Sequence, residues 1–220
     1  MNNSQICLTE ALFLLAHKPD GKRLIQRKYL KIGLAGALLT DLAEHRRISI
    51  NAGKVVSENG SAALSGLLAE PDDLIRAETQ PRTAKHWVRK FRSSNIERNV
   101  SSRLQERGLV QSQSDALLGI FPIVRHLPEP EILAQLGSLL TDVLRGQSQP
   151  TGWNASLISL CDATGLLRRI LPAVSKAEVK AIVEGEWASE AVRKVIKQAN
   201  SAVRMAIIST VNANNGSQGF

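Results

Sequence analysis

Residues 32–43 form the segment that most constrains the fold, because read as a helix it is apolar on nearly every side. Its large side chains are Leu34, Leu38, Leu39 and Leu42. A helix without a polar face cannot lie on a protein surface, so other elements must surround it. Gly33 and Gly36, three residues apart, indicate that a neighbouring helix packs closely against it. The segment therefore predicts a helical domain built around one central buried helix.

Further helices are predicted by apolar periodicity and by capping residues. The chain has 220 residues, of which 43% are hydrophobic, enough for one domain with its own core. Thr9 is a predicted N-cap of a short first helix, and 175–178 is a capping-box pattern. The predicted helical segments are 9–16, 32–43, 83–91, 96–107, 128–144, 154–167, 176–195 and 202–208. We expect a mainly α single domain over residues 1–210, followed by a flexible polar tail over 211–220.

Two tryptophans are predicted to belong to the core. Trp87 lies on a stripe with Ala84, Val88 and Phe91, at the spacing i, i+3, i+4, i+7 that marks one face of a helix. Trp187 lies on a line with Val183. Both side chains should therefore be buried.

Two short segments are predicted to form β-hairpins. Residues 48–56 alternate around a turn at 51–53, and residues 109–124 place predicted strands at 109–110 and 121–124 around an apolar tip. The tip carries Leu117, Leu118, Ile120 and Phe121. Strand side chains alternate between faces, so these four cannot all point to one side of a two-stranded ribbon. We expect an apolar contact with a membrane or a second copy, and packing back onto the core is the alternative.

Positive charge is concentrated in two stretches of the chain. The formal net charge is +8, and residues 21–31 hold five cations and no acid. Residues 81–107 hold eight cations against two acids, and the rest of the chain is net acidic. A shared basic face would bind an anionic partner, either a nucleic acid or a membrane surface. The alternative is two solvated helix faces that never meet.

Sequence patterns of enzymes and metal sites are missing. The chain has no P-loop, dinucleotide fingerprint or nucleophile elbow, and its four histidines are dispersed. Two cysteines are too few for a disulfide framework or a structural zinc site. No apolar run approaches the ~18–20 residues of a membrane span, and the N-terminus lacks a cationic signal region. We therefore expect a soluble, cytoplasmic protein without catalytic activity, cofactor or metal.

The order helix, helix, hairpin over residues 82–126 also fits a winged helix-turn-helix. In that interpretation the second helix enters the DNA major groove, and the cations are Arg92, Arg98, Arg103 and Arg107. Wings that contact phosphate are polar and basic, however, whereas this tip is apolar. Nucleic acid is therefore the less favoured partner.

Several segments, taken in order, resemble the Golgi phosphoprotein 3 family. They are LTEALFLL at 8–15, GLAGALLTDLA at 33–43, TAKHWV at 83–88, LQERGL at 104–109, the hairpin ending at 121–122, and EGEWA at 184–188. The sequence of these segments is most similar to the bacterial branch of that family. The resemblance implies a mostly helical domain with a projecting hairpin. In eukaryotic members it implies peripheral binding to phosphatidylinositol 4-phosphate, with membrane contact and self-association through the hairpin.

The residues that bind the head group in this family align with different residues here. The family's tryptophan falls at Gln26 and its arginines fall at Ala35, Ser94 and Glu97. Cations lie beside these positions, and the candidate head-group residues are Arg23, Arg27, Lys28, Arg89, Arg92 and Arg98. The resemblance thus predicts a non-enzymatic peripheral membrane protein that binds an anionic phospholipid, with a head group like that of phosphatidylinositol 4-phosphate.

Overall fold

Helices dominate the computed structural model, which describes residues 6–58, 64–117, 121–185 and 189–216, with the backbone alone over 115–117, 121–123 and 214–216. The helices are α1 (Leu8–Leu15), α2 (Arg27–Glu44), α3 (Ala69–Arg76), α4 (Ala84–Ser93), α5 (Ile96–Glu106), α6 (Pro130–Leu144), α7 (Gly152–Ala163), α8 (Leu167–Ile170), α9 (Lys176–Val183) and α10 (Glu190–Gly216). The strands are β1 (Ile48–Asn51), β2 (Lys54–Ser57), β3 (Arg82–Thr83), β4 (Val110–Leu117) and β5 (Phe121–Pro128). The mainly α fold with a small β-hairpin is confirmed.

The helix α2 is the centre of the fold, as its sequence predicts. Every residue from Ile32 to Ala43 is buried, and α1, α4, α7 and α10 pack around it. A Cβ atom on Gly36 would lie 2.5 Å from Cγ2 of Val203 in α10, and one on Gly33 would lie 2.5 Å from Cγ2 of Thr164 after α7. These two glycines therefore let both neighbours approach closely.

The course of α10 along α2 defines the two ends of the molecule. Val192 in the first turn of α10 lines a cleft with Glu44 in the last turn of α2, and Val203 contacts Gly36. The two helices are therefore antiparallel. We call the end with the first turns of α2 the basic end. The opposite end carries the small sheet and is called the sheet end.

A three-stranded antiparallel sheet in the order β1-β2-β3 forms the sheet end. Ile48 pairs with Ser57 at one end of the first hairpin, and Ala52 and Gly53 make the turn with positive φ of 47° and 74°. The strand β3 leads directly into α4, whose N-cap Thr83 accepts a hydrogen bond from the backbone N–H of His86. The predicted first hairpin and this N-cap are confirmed.

The hairpin β4–β5 is longer than predicted. Its ladder runs from the pair Val110 and Pro128 to the pair Leu117 and Phe121, so each strand has eight residues. The sequence missed most of it because residues 111–114 are all polar and exposed, so that no hydrophobic alternation marks the strand. Leu118 and Ile120 lie outside the described residues.

Helix boundaries differ from the prediction at several places. The N-cap of α1 is Cys7, and Thr9 lies inside the helix, where its hydroxyl donates to Asp41. The predicted helix over 176–195 is two helices, because α9 ends at Val183 before Gly185 and α10 begins at Glu190. Residues 211–216, predicted as part of a tail, belong to α10.

The stripe on α4 is core, as predicted. Trp87 and Phe91 are fully buried with ring centroids 5.4 Å apart, and Ala84 and Val88 are buried beside them. Trp187 lies outside the described residues. The burial of Trp87 fixes which face of α4 points to solvent, and so where Arg89 lies.

Candidate functional site

A cleft of about 620 Å³ at the basic end brings three predicted cations together. Arg23 precedes α2, Arg27 is its first residue, and Arg98 lies on α5. Hydroxyl and amide groups of Ser101, Ser102, Gln105 and Ser112 line the same space. We call it the basic cleft. It joins the two basic stretches of the sequence at one point of the surface.

A buried carboxylate holds the two stretches together. Oε2 of Glu97 accepts a hydrogen bond from Nε of Arg27 at 2.5 Å, and Oε1 lies 3.7 Å from Nη1 of Arg23. Only 8% of the Glu97 side chain is exposed. Its place in the first turn of α5 also favours a negative charge, because of the helix dipole. Glu97 thus positions Arg23 and Arg27, while Arg98 adds a third guanidinium to the cleft.

The other candidate residues lie outside the described lining of the basic cleft. Lys28 is half-buried, with its ammonium 5.2 Å from the centroid of the Tyr29 ring. Arg89 is exposed on α4, and Arg92 is half-buried near the end of that helix. The structure therefore divides the six candidate residues into three in the cleft and three elsewhere.

One histidine, His126, lines the basic cleft, and a second, His17, packs behind it. Nδ1 of His126 lies 3.1 Å from the Ser112 hydroxyl, and its ring centroid is 5.6 Å from that of His17. Burial lowers the pKa of His17 to about 4 and also lowers the pKa of His126. Both rings are therefore neutral near pH 7. The sequence alone does not pair these histidines, because they are 109 positions apart and fit no helical or motif spacing.

An apolar side chain also lines the basic cleft. Val124 of β5 is 48% exposed. Of the predicted apolar contact residues in the hairpin, Leu117 and Phe121 are described by their backbone alone, where they pair at the end of the ladder. The hairpin therefore contributes Ser112, Val124 and His126 to the lining of the basic cleft.

A second cleft, of about 500 Å³, adjoins the first through Arg23. It is lined by Gln26, Tyr29, Thr164 and Arg169 among others, and we call it the side cleft. Arg169 is exposed and extends the positive surface toward the end of α7. Gln26, at the position of the family's tryptophan, lies here and not in the basic cleft.

A third cleft, of about 840 Å³, lies at the sheet end and has a different character. Glu44, Glu58 and Trp153 line it together with Arg46. Burial, and then the neighbouring Asp41, raise the pKa of Glu44 to about 7. Asp41 itself accepts hydrogen bonds from the backbone N–H groups of Leu8 and Thr9, and so caps α1. With two carboxylates in its wall, this cleft is poorly suited to an anion.

Two arginines that a winged-helix protein would need are already engaged. Nε of Arg103 donates to Glu10 at 2.8 Å, and Nη1 of Arg107 donates to the same carboxylate at 2.7 Å. Glu10 is almost completely buried in α1. Breaking either pair would leave a buried charge with less compensation, which is costly. Arg103 and Arg107 therefore tie α5 to α1.

Over the described parts of the chain, no helix has the length and apolar character to cross a bilayer.

The comparison with known families finds a match that covers most of the chain. The family model of Golgi phosphoprotein 3 (GPP34) matches residues 8–199. No curated protein matches the chain at a significant level. The family is known for phosphoinositide-binding Golgi proteins and is in general non-enzymatic. Because this match spans residues 8–199 of a chain of 220, the chain belongs to the Golgi phosphoprotein 3 family.

Proposed function

We propose that this protein is a non-enzymatic peripheral membrane protein of the cytoplasm that binds an anionic phospholipid head group in the basic cleft. The observation that carries the proposal is the meeting of Arg23, Arg27 and Arg98 around one open cleft. Guanidinium groups bind phosphate in bidentate geometry, which favours a phosphorylated head group over a diffuse negative surface.

Electrostatic attraction is the first step of the proposed binding. Each Lys or Arg near an anionic surface contributes about 1 kcal/mol, and the attraction decays within a Debye length. Because Arg23 and Arg27 are exposed beside Glu97, they remain accessible to a second anion. The three arginines supply the charge, since both neighbouring histidines are neutral at pH 7.

Head-group selectivity is the finer part of the proposal. The serine hydroxyls and the Gln105 amide can donate to phosphate oxygens or accept from sugar hydroxyls. A head group such as that of phosphatidylinositol 4-phosphate offers both kinds of group. The Glu97 carboxylate can accept a hydroxyl but repels phosphate, so the phosphate should contact the Arg98 side of the cleft.

The hairpin supplies the second step, an apolar contact with the bilayer. Val124 is exposed in the lining of the cleft, and four more apolar residues precede it in the sequence: Leu117, Leu118, Ile120 and Phe121. Each fully buried apolar side chain contributes about 1.5–3 kcal/mol. Self-association through the same hairpin is the alternative role of these residues.

Vesicle co-sedimentation tests the proposal. The lipids are phosphatidylcholine alone, phosphatidylcholine with phosphatidylglycerol, and phosphatidylcholine with phosphatidylinositol 4-phosphate. We expect binding to both anionic mixtures, and the double variant Arg27→Gln/Arg98→Gln should bind about 30-fold more weakly, because two charges are lost. Equal binding to phosphatidylcholine alone would remove the electrostatic step. Preference for phosphatidylinositol 4-phosphate over phosphatidylglycerol tests the finer part.

A matched control is available at the sheet end. Lys54 and Lys85 are exposed there, and Lys54→Gln/Lys85→Gln removes the same charge. This variant should bind vesicles as the wild type does. A DNA mobility shift run in parallel tests the winged-helix alternative, which predicts a shift that Arg98→Gln weakens.

The hairpin needs its own variant. Leu117→Ser/Phe121→Ser should keep the wild-type melting temperature and lose vesicle binding, with its size on a sizing column unchanged. Loss of a larger species on the column without loss of vesicle binding would assign the hairpin to self-association. Unfolding of the variant would assign its tip to the core.

A further inference from the structure

The last turns of α10 expose a stripe of large apolar side chains. Met205 is 49% exposed, Ile208 51% and Val211 39%, and their spacing of three residues keeps them along one side of the helix. Within the described residues, the other large apolar side chain with comparable exposure is Val124 at the basic cleft. A single exposed apolar residue is ordinary, but three on one line form a contact surface.

The stripe lies at the basic end of the molecule. Val203 contacts Gly36, and the two helices are antiparallel. Ile208 is five residues beyond Val203, about 7.5 Å further along α10, and so lies level with the first turns of α2. The stripe is thus at the same end as Arg27.

A chain of contacts connects the stripe to the two clefts. Nη2 of Arg204, next to Met205, donates to Asp162 at 2.5 Å. Asp162 is in the last turn of α7, just before Thr164 and Gly165, which line the side cleft. The side cleft in turn shares Arg23 with the basic cleft. The apolar stripe therefore borders the positive surface of the basic end.

The charges around the stripe favour a lipid surface over a second copy of the chain. The exposed cations at the same end of the molecule include Arg23 and Arg169, which line the side cleft. Two copies meeting through this face would bring like charges together, which is unfavourable. Helices that lie in the membrane interface combine large apolar side chains with Lys and Arg, and they bind anionic lipids for that reason.

We propose that Met205, Ile208 and Val211 form a second lipid-contacting element, which enters the boundary between head groups and acyl chains of an anionic bilayer. This inference rests on the proposed function, because the basic cleft and the stripe contact the same membrane. The hairpin and α10 then contact the bilayer on two sides of the positive surface. Two separated contacts fix the orientation of the protein on the membrane, whereas one would leave it free to rotate.

A site-specific fluorescent label tests the inference. The native thiols react poorly, because burial raises the pKa of both Cys7 and Cys161. Ile208→Cys therefore carries an environment-sensitive dye selectively, and Asn51→Cys, exposed at the sheet end, is the matched control. With vesicles of phosphatidylcholine and phosphatidylglycerol, we expect a blue shift of the emission at position 208 and none at position 51. For Arg27→Gln/Arg98→Gln, about 30-fold more lipid should be needed to reach the same shift, because recruitment is weaker.

A second variant measures the contribution of the stripe to binding. Met205→Ser/Ile208→Ser should weaken partition into the same vesicles about tenfold. Both positions are half exposed, so the melting temperature should not change. The residual binding should still weaken with salt, since the arginines remain.

The outcomes separate this inference from the proposed function. Vesicle binding without a blue shift at position 208 overturns the role of α10 and leaves the basic cleft as the binding site. A blue shift that appears without vesicles and grows with protein concentration assigns the stripe to a second copy, which also overturns the inference. Absence of binding to any anionic vesicle overturns both.

Discussion

Glu97 is an acid at the centre of a positive surface, and its effect on ligand binding has two opposing parts. It holds Arg23 and Arg27 in place, which preorganises them. It also cancels one unit of positive charge where an anion would bind. Near an anionic surface one charge contributes about 1 kcal/mol to binding. The entropic gain from holding Arg23 and Arg27 in place is smaller, because both side chains are exposed and keep some freedom with or without a bound ligand. The charge should dominate.

The first prediction follows from that balance. Glu97→Gln keeps the size of the side chain and removes the charge, so binding to phosphatidylglycerol vesicles should tighten about fivefold. The free energy of unfolding should fall by about 1–2 kcal/mol, because an ion pair with two half-exposed partners is lost. Co-sedimentation and urea denaturation measure the two effects. Weaker binding would mean that placement of the guanidiniums matters more than the charge.

The second prediction concerns Glu44. Burial and Asp41 raise its pKa from 4.5 to about 7, so the folded state binds its proton more tightly than the unfolded state does. The free energy of unfolding should therefore decrease as the pH rises from about 4.5 to about 7. Glu44→Gln should remove this contribution to the pH dependence. Near pH 8 it should increase the free energy of unfolding by about 1–2 kcal/mol, after allowance for the partial exposure of the side chain.

Denaturation curves across the pH range check this prediction. A residual slope below about pH 6 should remain, because burial also raises the pKa of Asp41 to about 6. The exposed Glu131→Gln on α6 is the control and should leave the profile unchanged. An unchanged slope between about pH 6 and 7 in Glu44→Gln would show that another group titrates there.

At the scale of elements, α2 is held by close contact on one side and by large side chains on the other. Gly36 has room for no Cβ, since Cγ2 of Val203 would be 2.5 Å away. A Cβ atom on Gly137 in α6 would meet no side chain and no other element within 4 Å among the described residues. The two helical glycines thus differ in what surrounds them, and their substitution separates packing from backbone entropy.

The third prediction uses this pair. Gly36→Ala should lower the free energy of unfolding by about 1–3 kcal/mol through overpacking, and Val203→Ala should restore part of the loss in the double variant. Gly137→Ala should raise it by about 0.5–1 kcal/mol, because alanine has less freedom in the unfolded chain. Urea denaturation measures both. A neutral Gly36→Ala would mean that α10 can move away from α2.

Elements marked by local patterns were predictable from the sequence, and those that depend on distant residues were not. The apolar segment 32–43, the stripe of Trp87 and the capping box at Ser175 each carry their signal within a few residues, and the structure has all three. The polar strand β4 carries no such signal, and the backbone N–H of Leu8 at the start of α1 donates to Asp41, 33 residues further along the chain.

The basic cleft shows the same limit for the candidate site. Charge density identified both basic stretches, but nothing local indicates that Arg23 meets Arg98, or that Glu97 lies between the stretches. The wall residue His126 comes from a third element, the hairpin. A surface assembled from three elements is determined by packing, and packing has no short-range pattern.

Charge is distributed unevenly over the molecule, which the net charge alone does not show. Among the described residues, Arg23, Arg27 and Arg98 meet in the basic cleft, whereas the cleft at the sheet end places Glu44 and Glu58 beside Arg46. A net charge of +8 spread evenly would attract an anionic surface in any orientation. Positive charge concentrated in the basic cleft orients the molecule before it contacts the membrane. The basic cleft, the side cleft and the two apolar elements then face the lipid.

The last prediction tests position against amount of charge, with three double variants that each remove two cations. Arg27→Gln/Arg98→Gln acts in the cleft, Arg89→Gln/Arg92→Gln acts on α4, and Lys54→Gln/Lys85→Gln acts at the sheet end. Binding to phosphatidylglycerol vesicles should weaken most in the first, less in the second and not measurably in the third. Net charge alone predicts equal losses, which titration of the three variants at one salt concentration would reveal. Raising the salt should bring the three affinities together, because screening removes the attraction that distinguishes them.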